Sequence, residues 1–299
     1  MRCSVIVPTY NRAELLGLTL QSLVRQNIQP HEFEVIVVDD GSSDHTREKV
    51  ASFASSLNVR YIFQEDNGYR VAKARNQGIL VARASICVLV DSGILLAPEC
   101  LESHCALHEE SEPPLAVCGY VYGFNEDNED AEKIRRVVDV ECPEKTMTLL
   151  QHQGEYLDLR EEFYAKYGDN FDYLPAPWLV FWTCNVSVCR DVLLEVGLFD
   201  ENFCTWGGED VELAYRLHRH GCRFVLSRDA RSIHHPHEKS YEHNMQAART
   251  SYLYFARKYK TPITALVPEN HFWVINDIIK RDNLPSCEEY MKESRGAEH

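Results

Sequence analysis

The stretch of this chain best equipped for chemistry is Trp206-Gly207-Gly208-Glu209-Asp210-Val211-Glu212. Two adjacent glycines allow a tight turn or a close approach of backbone to ligand, and a carboxylate pair follows at once. Val211, Leu213, Ala214 and Leu217 then fall on one side of a helix, so the acids open it, facing its positive dipole end. Glu-Asp alone would read as an ordinary acidic first turn; with Trp206 and both glycines attached, a functional site is the better reading. A second candidate is His234-His235-Pro236-His237, where three histidines in four residues fit a metal cluster or a solvated loop about equally.

The elements that must position these residues are legible in order. Cys3–Pro8, Phe33–Val38, Val59–Phe63 and Ser85–Val90 are apolar runs of strand length. Helical patterns separate them: one carrying Leu15, Leu16, Leu20, Leu23 and Val24, one beginning near Thr46, and one over Val71–Ala82. Strand and helix in alternation, with continuous apolar strands, predict an α/β fold built on a single Rossmann-like, mixed but mainly parallel sheet with helices on both faces. Ligands of such sheets bind beyond the carboxyl ends of the strands, where Thr9, Tyr10, Asp39, Asp40, Asp66 and Asp91 are delivered to one crevice. Further on, Pro98–His108 reads as a helix, Ala116–Tyr122 and Trp178–Cys189 as strands, and 125–172 as an irregular, partly helical insertion beside the acceptor site, with aromatics at Tyr156, Phe163, Tyr164, Tyr167 and Phe171. Gly221–Leu226 is a strand, and Met245–Lys260 a helix whose aromatic side packs and whose Arg249, Arg257, Lys258 and Lys260 are solvated.

Composition bounds the partners. At 299 residues, 44% hydrophobic and 26% charged, the chain has ordinary globular make-up and enough length for one large core or two modest ones. Thirty-one Lys and Arg against 46 Asp and Glu leave a net charge of −15, which excludes a nucleic-acid backbone as partner but leaves room for a local basic pocket serving one nucleotide. The 11 cysteines are an odd number, scattered without a Cys-x-x-Cys pair and with no signal peptide ahead of them, which predicts reduced structural thiols in a cytoplasmic protein. No apolar run approaches the ~20 residues of a membrane helix, which leaves peripheral membrane contact open.

The first hundred residues resemble family 2 glycosyltransferases through Val5-Ile-Val-Pro-Thr-Tyr-Asn11, Val37-Val-Asp-Asp-Gly-Ser-Ser-Asp44, Gly68-Tyr-Arg-Val-Ala-Lys-Ala-Arg-Asn76 and Leu89-Val-Asp91. Trp206-Gly-Gly-Glu-Asp210 resembles the acceptor-side motif of inverting GT-A enzymes, among them galactosyltransferases and chondroitin-type polymerases. The resemblance implies a GT-A fold with a nucleotide-sugar-binding half over 1–110 and an acceptor-binding, catalytic half over 111–299 of the same domain. It implies that Pro8 and Tyr10 border the nucleotide base, that Asp40 reads the base edge, and that Arg75 and Asn76 line the nucleotide pocket, with Arg75 or Lys73 suited to the diphosphate. It places Asp91 at the ribose, and Trp206, Gly207 and Gly208 around the acceptor. Asp210 becomes the catalytic base, with Glu209 beside it. Cys184-Asn185-Val186-Ser187 resembles a small-residue strand next to the donor sugar.

One element departs from the family. Where it carries Asp-x-Asp, this chain reads Asp91-Ser92-Gly93, so the acid that binds manganese or magnesium is missing. A divalent cation would have to rely on Asp91, on His234 with His237 as substitute, and on the phosphates of the donor. The expected activity is inverting transfer of a sugar from a nucleoside diphosphate donor, UDP-linked, to a carbohydrate or other hydroxyl acceptor. Two alternatives stand beside it. A nucleotidyltransferase has a similar front half but needs a glycine-rich pyrophosphate loop, which Pro8-Thr9-Tyr10-Asn11 does not supply. A noncatalytic nucleotide-sugar binder fits the degenerate Asp91-Ser92-Gly93 but not the intact Glu209-Asp210.

Overall fold

The computed structural model of the chain describes residues 1–109, 111, 114–124, 128–238, 240–287 and 289–290. The front half alternates as expected: β1 (Cys3–Thr9), α1 (Ala13–Val24), β2 (Phe33–Asp39), α2 (Thr46–Ala51), β3 (Val59–Phe63), α3 (Val71–Val81) and β4 (Ile86–Val90). A short β5 (Ile94–Leu96), α4 (Cys100–Glu109) and β6 (Leu115–Tyr122) follow, then α5 (Asn128–Val137), α6 (Pro143–Gln153) and α7 (Glu161–Tyr167). The rest is β7 (Asn185–Cys189), α8 (Arg190–Glu195), α9 (Glu209–Arg219), β8 (Arg223–His234), α10 (Tyr241–Tyr259), α11 (Pro262–Leu266) and α12 (Phe272–Arg281).

One eight-stranded sheet in the order β3-β2-β1-β4-β7-β6-β8-β5 runs through both halves of the chain. The first four strands are parallel, β7 is antiparallel to both β4 and β6, and β8 is parallel to β6. Two antiparallel steps restore direction, so β8 ends at the same edge of the sheet as β1, β2 and β4. Burial shows why the apolar runs hold this position. Ile6, Ile36, Val38, Cys87 and Leu89 enter the core on one face, while Val5, Val7, Val35, Val37, Val88 and Val90 enter the core on the other. Alternate side chains point to opposite faces, and only a strand covered on both sides can be apolar throughout.

The structure corrects the expectation at several places. Of Trp178–Cys189 only Asn185–Cys189 is a strand, because Pro177 opens a tight 3-10 turn that sinks Trp178 into the core. The insertion is more helical than irregular, and its Phe163, Tyr164 and Phe171 are sealed in the main core; residues 125–127 of it lie outside the described residues. β8 continues past Leu226 through His234, and β5, α11 and α12 have no clear signature in the pattern. No helix among the described residues is long and apolar enough to cross a membrane. The cysteines described are all free thiols.

Candidate active site

The Trp206 motif is held by backbone shape and by α10. Gly207 and Gly208 have φ of +86° and +95°, a conformation that L-residues with side chains rarely adopt. Space enforces the same choice, since a Cβ on Gly208 would lie 3.0 Å from Ser251 Cβ and 3.4 Å from Tyr252 Cε1, and one on Gly207 would lie 3.3 Å from Ala248 Cβ. Ala248, Ser251 and Tyr252 are successive turns of one face of α10, and Ser251 Oγ also lies 3.1 Å from Thr205 Oγ1. Behind the motif, α9 is anchored by buried Val211, Leu213, Ala214 and Leu217 and by Glu212, which receives Arg216, Lys258 and Tyr259. Each large buried aliphatic side chain contributes roughly 1.5–3 kcal/mol, so packing rather than a capping side chain fixes where the acids stand.

From that position Glu209 reaches across the cleft. Arg75 on α3 donates from Nη1 to Glu209 Oε1 at 2.8 Å and from Nη2 to Asp91 Oδ1 at 2.9 Å. Side-chain exposure is 4% for Arg75 and 5% for Glu209 but 40% for Asp91, so only the last of the three opens to solvent. Burial works against the guanidinium's charge, yet Asp91 and Glu209 more than offset it and raise its pKa. The Phe199 ring closes over the guanidinium at 5.4 Å. Asp210 differs from its neighbour: its Oδ1 takes the Val211 N–H at 2.8 Å, and although protein surrounds it densely, the residue keeps an opening to solvent. Burial, with Glu209's charge second, pushes the Asp210 carboxyl up to about 7 against the opposing pull of Arg75.

The strand-end residues form the other wall. Asp40 N–H donates to Thr9 O at 2.9 Å, which sets Tyr10 and Asp40 side by side at the ends of β1 and β2. Tyr10 is exposed, with its hydroxyl 2.9 Å from Asp66 Oδ2. Asp40 accepts from Gln64 Nε2 and from Arg70 N–H at 2.9 Å; burial raises its pKa. A carboxylate has further acceptor sites beyond those two, so Asp40 can still receive a donor from a ligand. Pro8 lies inside β1, and its carbonyl accepts from Ser92 Oγ at 2.9 Å, which shapes the Asp91 loop.

Three of the expected site residues have partners or settings that spacing alone does not show. Arg75 is committed to two carboxylates and is not a free cation for a diphosphate. Asn76 brackets the Phe199 peptide, accepting its N–H at 2.8 Å and donating to its carbonyl at 2.9 Å, and donates to Glu201 as well, so it holds the loop that carries Phe199. His234 closes a strand instead of sitting in a loop; its ring lies 5.1 Å from that of His237 and 4.8 Å from that of Phe124. That strand end does meet the Asp91 loop, because His235 N–H donates to Gly93 O at 2.8 Å.

The residues present do not form a preassembled divalent-ion site: among the described residues no three His, Cys, Asp or Glu side chains converge on one point. Gly93 is moreover a built turn residue, with φ of +97° and its N–H given to Thr19 Oγ1 at 2.9 Å. An acid could not be restored there without strain.

Sequence reasoning missed Tyr69 and Tyr252, and it placed Cys184 beside the donor sugar without its link to the Asp91 loop. Tyr69 stands in the Gly68-Tyr-Arg motif and feels Glu209, Arg75, Asp91 and Asp210; although 37% of the residue is exposed, the protein packed around it, with Glu209 next, raises its pKa. Tyr252 is raised by burial and then by Asp210. Cys184 accompanies the Asp91 loop through its carbonyl, 3.3 Å from Asp91 N. A cavity of about 590 Å³ bordered by Asn76, Phe199, Asp200, Arg216 and Lys258 includes none of Tyr10, Asp40, Asp91 or Asp210, and Lys258 and Asp200 there pair with each other at 2.7 Å.

Residues 4–182 match the model described as Glycosyl transferase family 2, and residues 169–240 match one described as the N-terminal domain of galactosyltransferase. The chain is 39% identical over 274 residues to the validoxylamine A glucosyltransferase of Streptomyces hygroscopicus subsp. limoneus, covering 92% of this chain and 59% of that protein. It therefore spans about six-tenths of that relative's length. S. aureus TarS in complex with UDP-GlcNAc superposes with a TM-score of 0.62 at 20% identity, covering 86% of this chain and 67% of that one. Mannosyltransferase PcManGT from Pyrobaculum calidifontis, in complex with GDP-Man and Mn2+, gives 0.60 at 20% identity over 99% of this chain and 75% of that one. These likenesses bear out the GT-A fold.

Proposed function

Because the chain belongs to the family 2 glycosyl transferases, we propose that it transfers a sugar from a nucleoside diphosphate donor, UDP-linked, to an acceptor hydroxyl with inversion at the anomeric carbon, Asp210 acting as base. The observation that carries this is the division of labour in the acid pair. Glu209 is tied to Arg75, whereas Asp210 is left with a proton affinity near neutrality at the mouth of the crevice. In the step itself the acceptor O–H proton passes to an Asp210 carboxylate oxygen while the acceptor oxygen attacks the anomeric carbon. The bond from that carbon to the diphosphate oxygen breaks on the opposite face, and the diphosphate leaves with the electron pair. Holding both reactants at the end of one sheet removes much of the entropic cost of the encounter.

Tyr10 and Asp40 receive the nucleotide base in this reading, and Trp206, 42% exposed beside the acids, supports the acceptor ring with Tyr252. UDP is favoured because the TarS neighbour is a UDP-GlcNAc complex, and a hexosyl donor because the glucosyltransferase relative is named for one. With Arg75 committed, Lys73 on α3 is the cation left of the two suited to the diphosphate. Calorimetric screening of donors, followed by assignment of the product anomer by NMR, tests the reading directly. An axial-to-axial outcome would rule out single-step inversion.

Asp40→Ala weakens UDP binding about ten- to a hundred-fold, corresponding to roughly 1.5–3 kcal/mol for a hydrogen bond to a charged group. Calorimetry on a variant shown to melt normally checks this, since Arg70 N–H loses its acceptor too. UDP affinity unchanged in that variant would put the base elsewhere.

For the divalent ion, one carboxylate without a second acid binds weakly on its own. Manganese titrated into nucleotide-free protein gives no stoichiometric uptake, uptake appears with UDP present, and His234→Ala raises the concentration needed. Stoichiometric metal in the nucleotide-free protein contradicts this and points to the histidines as an independent site.

A further inference from the structure

The Arg75 bridge joins the two sides of the reaction. Asp91 ends β4 on the donor side and Glu209 opens α9 on the acceptor side, and one buried guanidinium spans both with separate nitrogens at 2.9 and 2.8 Å. A planar fork of fixed donors can do this, whereas an ammonium would have to serve both carboxylates from one point. Arg75 is itself immobilised: it lies on the buried side of α3, its ring partner Phe199 is clamped by the next residue, Asn76, and Asn76 makes hydrogen bonds to both the N–H and the carbonyl of Phe199. The loop that leads to the Trp206 motif is thus fastened to the same turn of α3 that carries the guanidinium.

We propose that Arg75 is the positioning residue of the acid pair, fixing the Glu209 carboxylate away from the acceptor and setting the electrostatic field in which Asp210 takes its proton. This rests on Asp210 being the base proposed above. The groups that face Asp210 are Glu209 from α9, Arg75 from α3, Asp91 from the end of β4, Tyr69 from the loop before α3, Tyr252 from α10 and Cys184 from the segment before β7. Among them Arg75 is the cation. Glu209 is the adjacent anion, and the two act on Asp210 with opposite sign, so removing each must move its titration in opposite directions.

The experiment is carbon NMR titration of the Asp210 carboxyl in the whole protein, read beside the pH profile of kcat/KM. Glu209→Gln moves the midpoint down by about one unit, the size typical of a neighbouring charge. The double variant Arg75→Gln with Glu209→Gln lies above Glu209→Gln alone by a similar amount, and it leaves no buried unpaired carboxylate to prevent folding. Arg75→Lys, which keeps the charge and loses the fork, holds the midpoint within a few tenths of a unit but lowers kcat about tenfold, while KM for the donor stays within a few-fold. The acidic limb of the activity profile follows the NMR midpoints.

Coincident midpoints in the double variant and Glu209→Gln would overturn the proposal. So would a tenfold or greater loss of UDP affinity in Arg75→Lys with kcat intact, which would make Arg75 a diphosphate ligand after all. The carboxyl titration needs no sugar donor, so a protein that shows these shifts but transfers no sugar supports the role of Arg75 and defeats the transferase reading alone.

Discussion

Asp210→Asn lowers sugar transfer by about two to four orders of magnitude, the usual worth of a positioned general base, while UDP affinity stays within a few-fold of the original. Asn has the same shape and can still accept the Val211 N–H, but it cannot take a proton from the acceptor hydroxyl. The loss is in kcat, because the interaction exists only as the proton moves. In the unmodified protein the rate falls about tenfold per pH unit below a midpoint near 7 and is flat above it, since burial and Glu209 hold the Asp210 carboxyl at about 7 and only its ionised form is a base. Stability carries the opposite signature. A carboxyl whose folded pKa is raised to about 7 from an ordinary value near 4 makes the folded state the better proton binder between those limits, so stability declines as pH rises through that window. Asp210→Asn removes that decline and melts no lower than the parent at pH 8. A variant that melts like the parent and transfers within a few-fold of it takes Asp210 out of the mechanism.

Asp158→Ala lowers the unfolding free energy by about 3–5 kcal/mol, the cost of leaving a buried charge without its partner. Asp158 and Arg160 have side-chain exposures of 2% and 1% and meet at 2.7 Å. Asp158 also accepts the Val121 N–H at 2.8 Å, and Arg160 donates to the carbonyls of Val180 at 3.0 Å and Gly119 at 2.9 Å. Those contacts tie the insertion to β6 and to the turn that carries Trp178, and the guanidinium lies 5.3 Å over the Trp182 ring. The midpoint of urea unfolding and the melting temperature both record the loss, the latter by on the order of 10 °C. Arg2→Ala, which breaks a pair whose Glu109 is 51% exposed, is the control and costs about 1 kcal/mol or less. Equal effects in the two variants would show that water reaches the Asp158 pair.

Much of the architecture was legible because its signals are local. Runs such as Cys3–Pro8 and Phe33–Val38, apolar but for Ser4 and Glu34, read as parallel strands without knowledge of what covers them, and the strands that contain them are buried along their whole length. The Gly207-Gly208 turn and the acids that open α9 came from adjacent residues, and so did the convergence of Tyr10, Asp40 and Asp91 at one sheet edge. Where the reading went astray, the controlling partner was remote. The aromatics of 156–171 lie in a segment that reads as irregular, yet it carries three helices, because its order depended on a remote core that takes in Phe163, Tyr164 and Phe171. Trp178–Phe181 has strand composition, but Pro177 and the buried space around Trp178 decide otherwise.

Residue types, strand and helix periods and the turn chemistry of glycine are properties of neighbours in the chain, so the sequence by itself determined an α/β sheet, the edge where its site lies and the acid pair at the start of α9. It did not determine what each charged group does there. Arg75 and Glu209 are 134 residues apart, Arg75 and Asp91 16 apart, and Asn76 and Phe199 123 apart. Nothing in the spacing of such pairs distinguishes a cation that awaits a diphosphate from one already consumed by two carboxylates. Only tertiary structure decided that, because charge pairing and desolvation depend on distances in space and on the exclusion of water, and both are set when the elements pack.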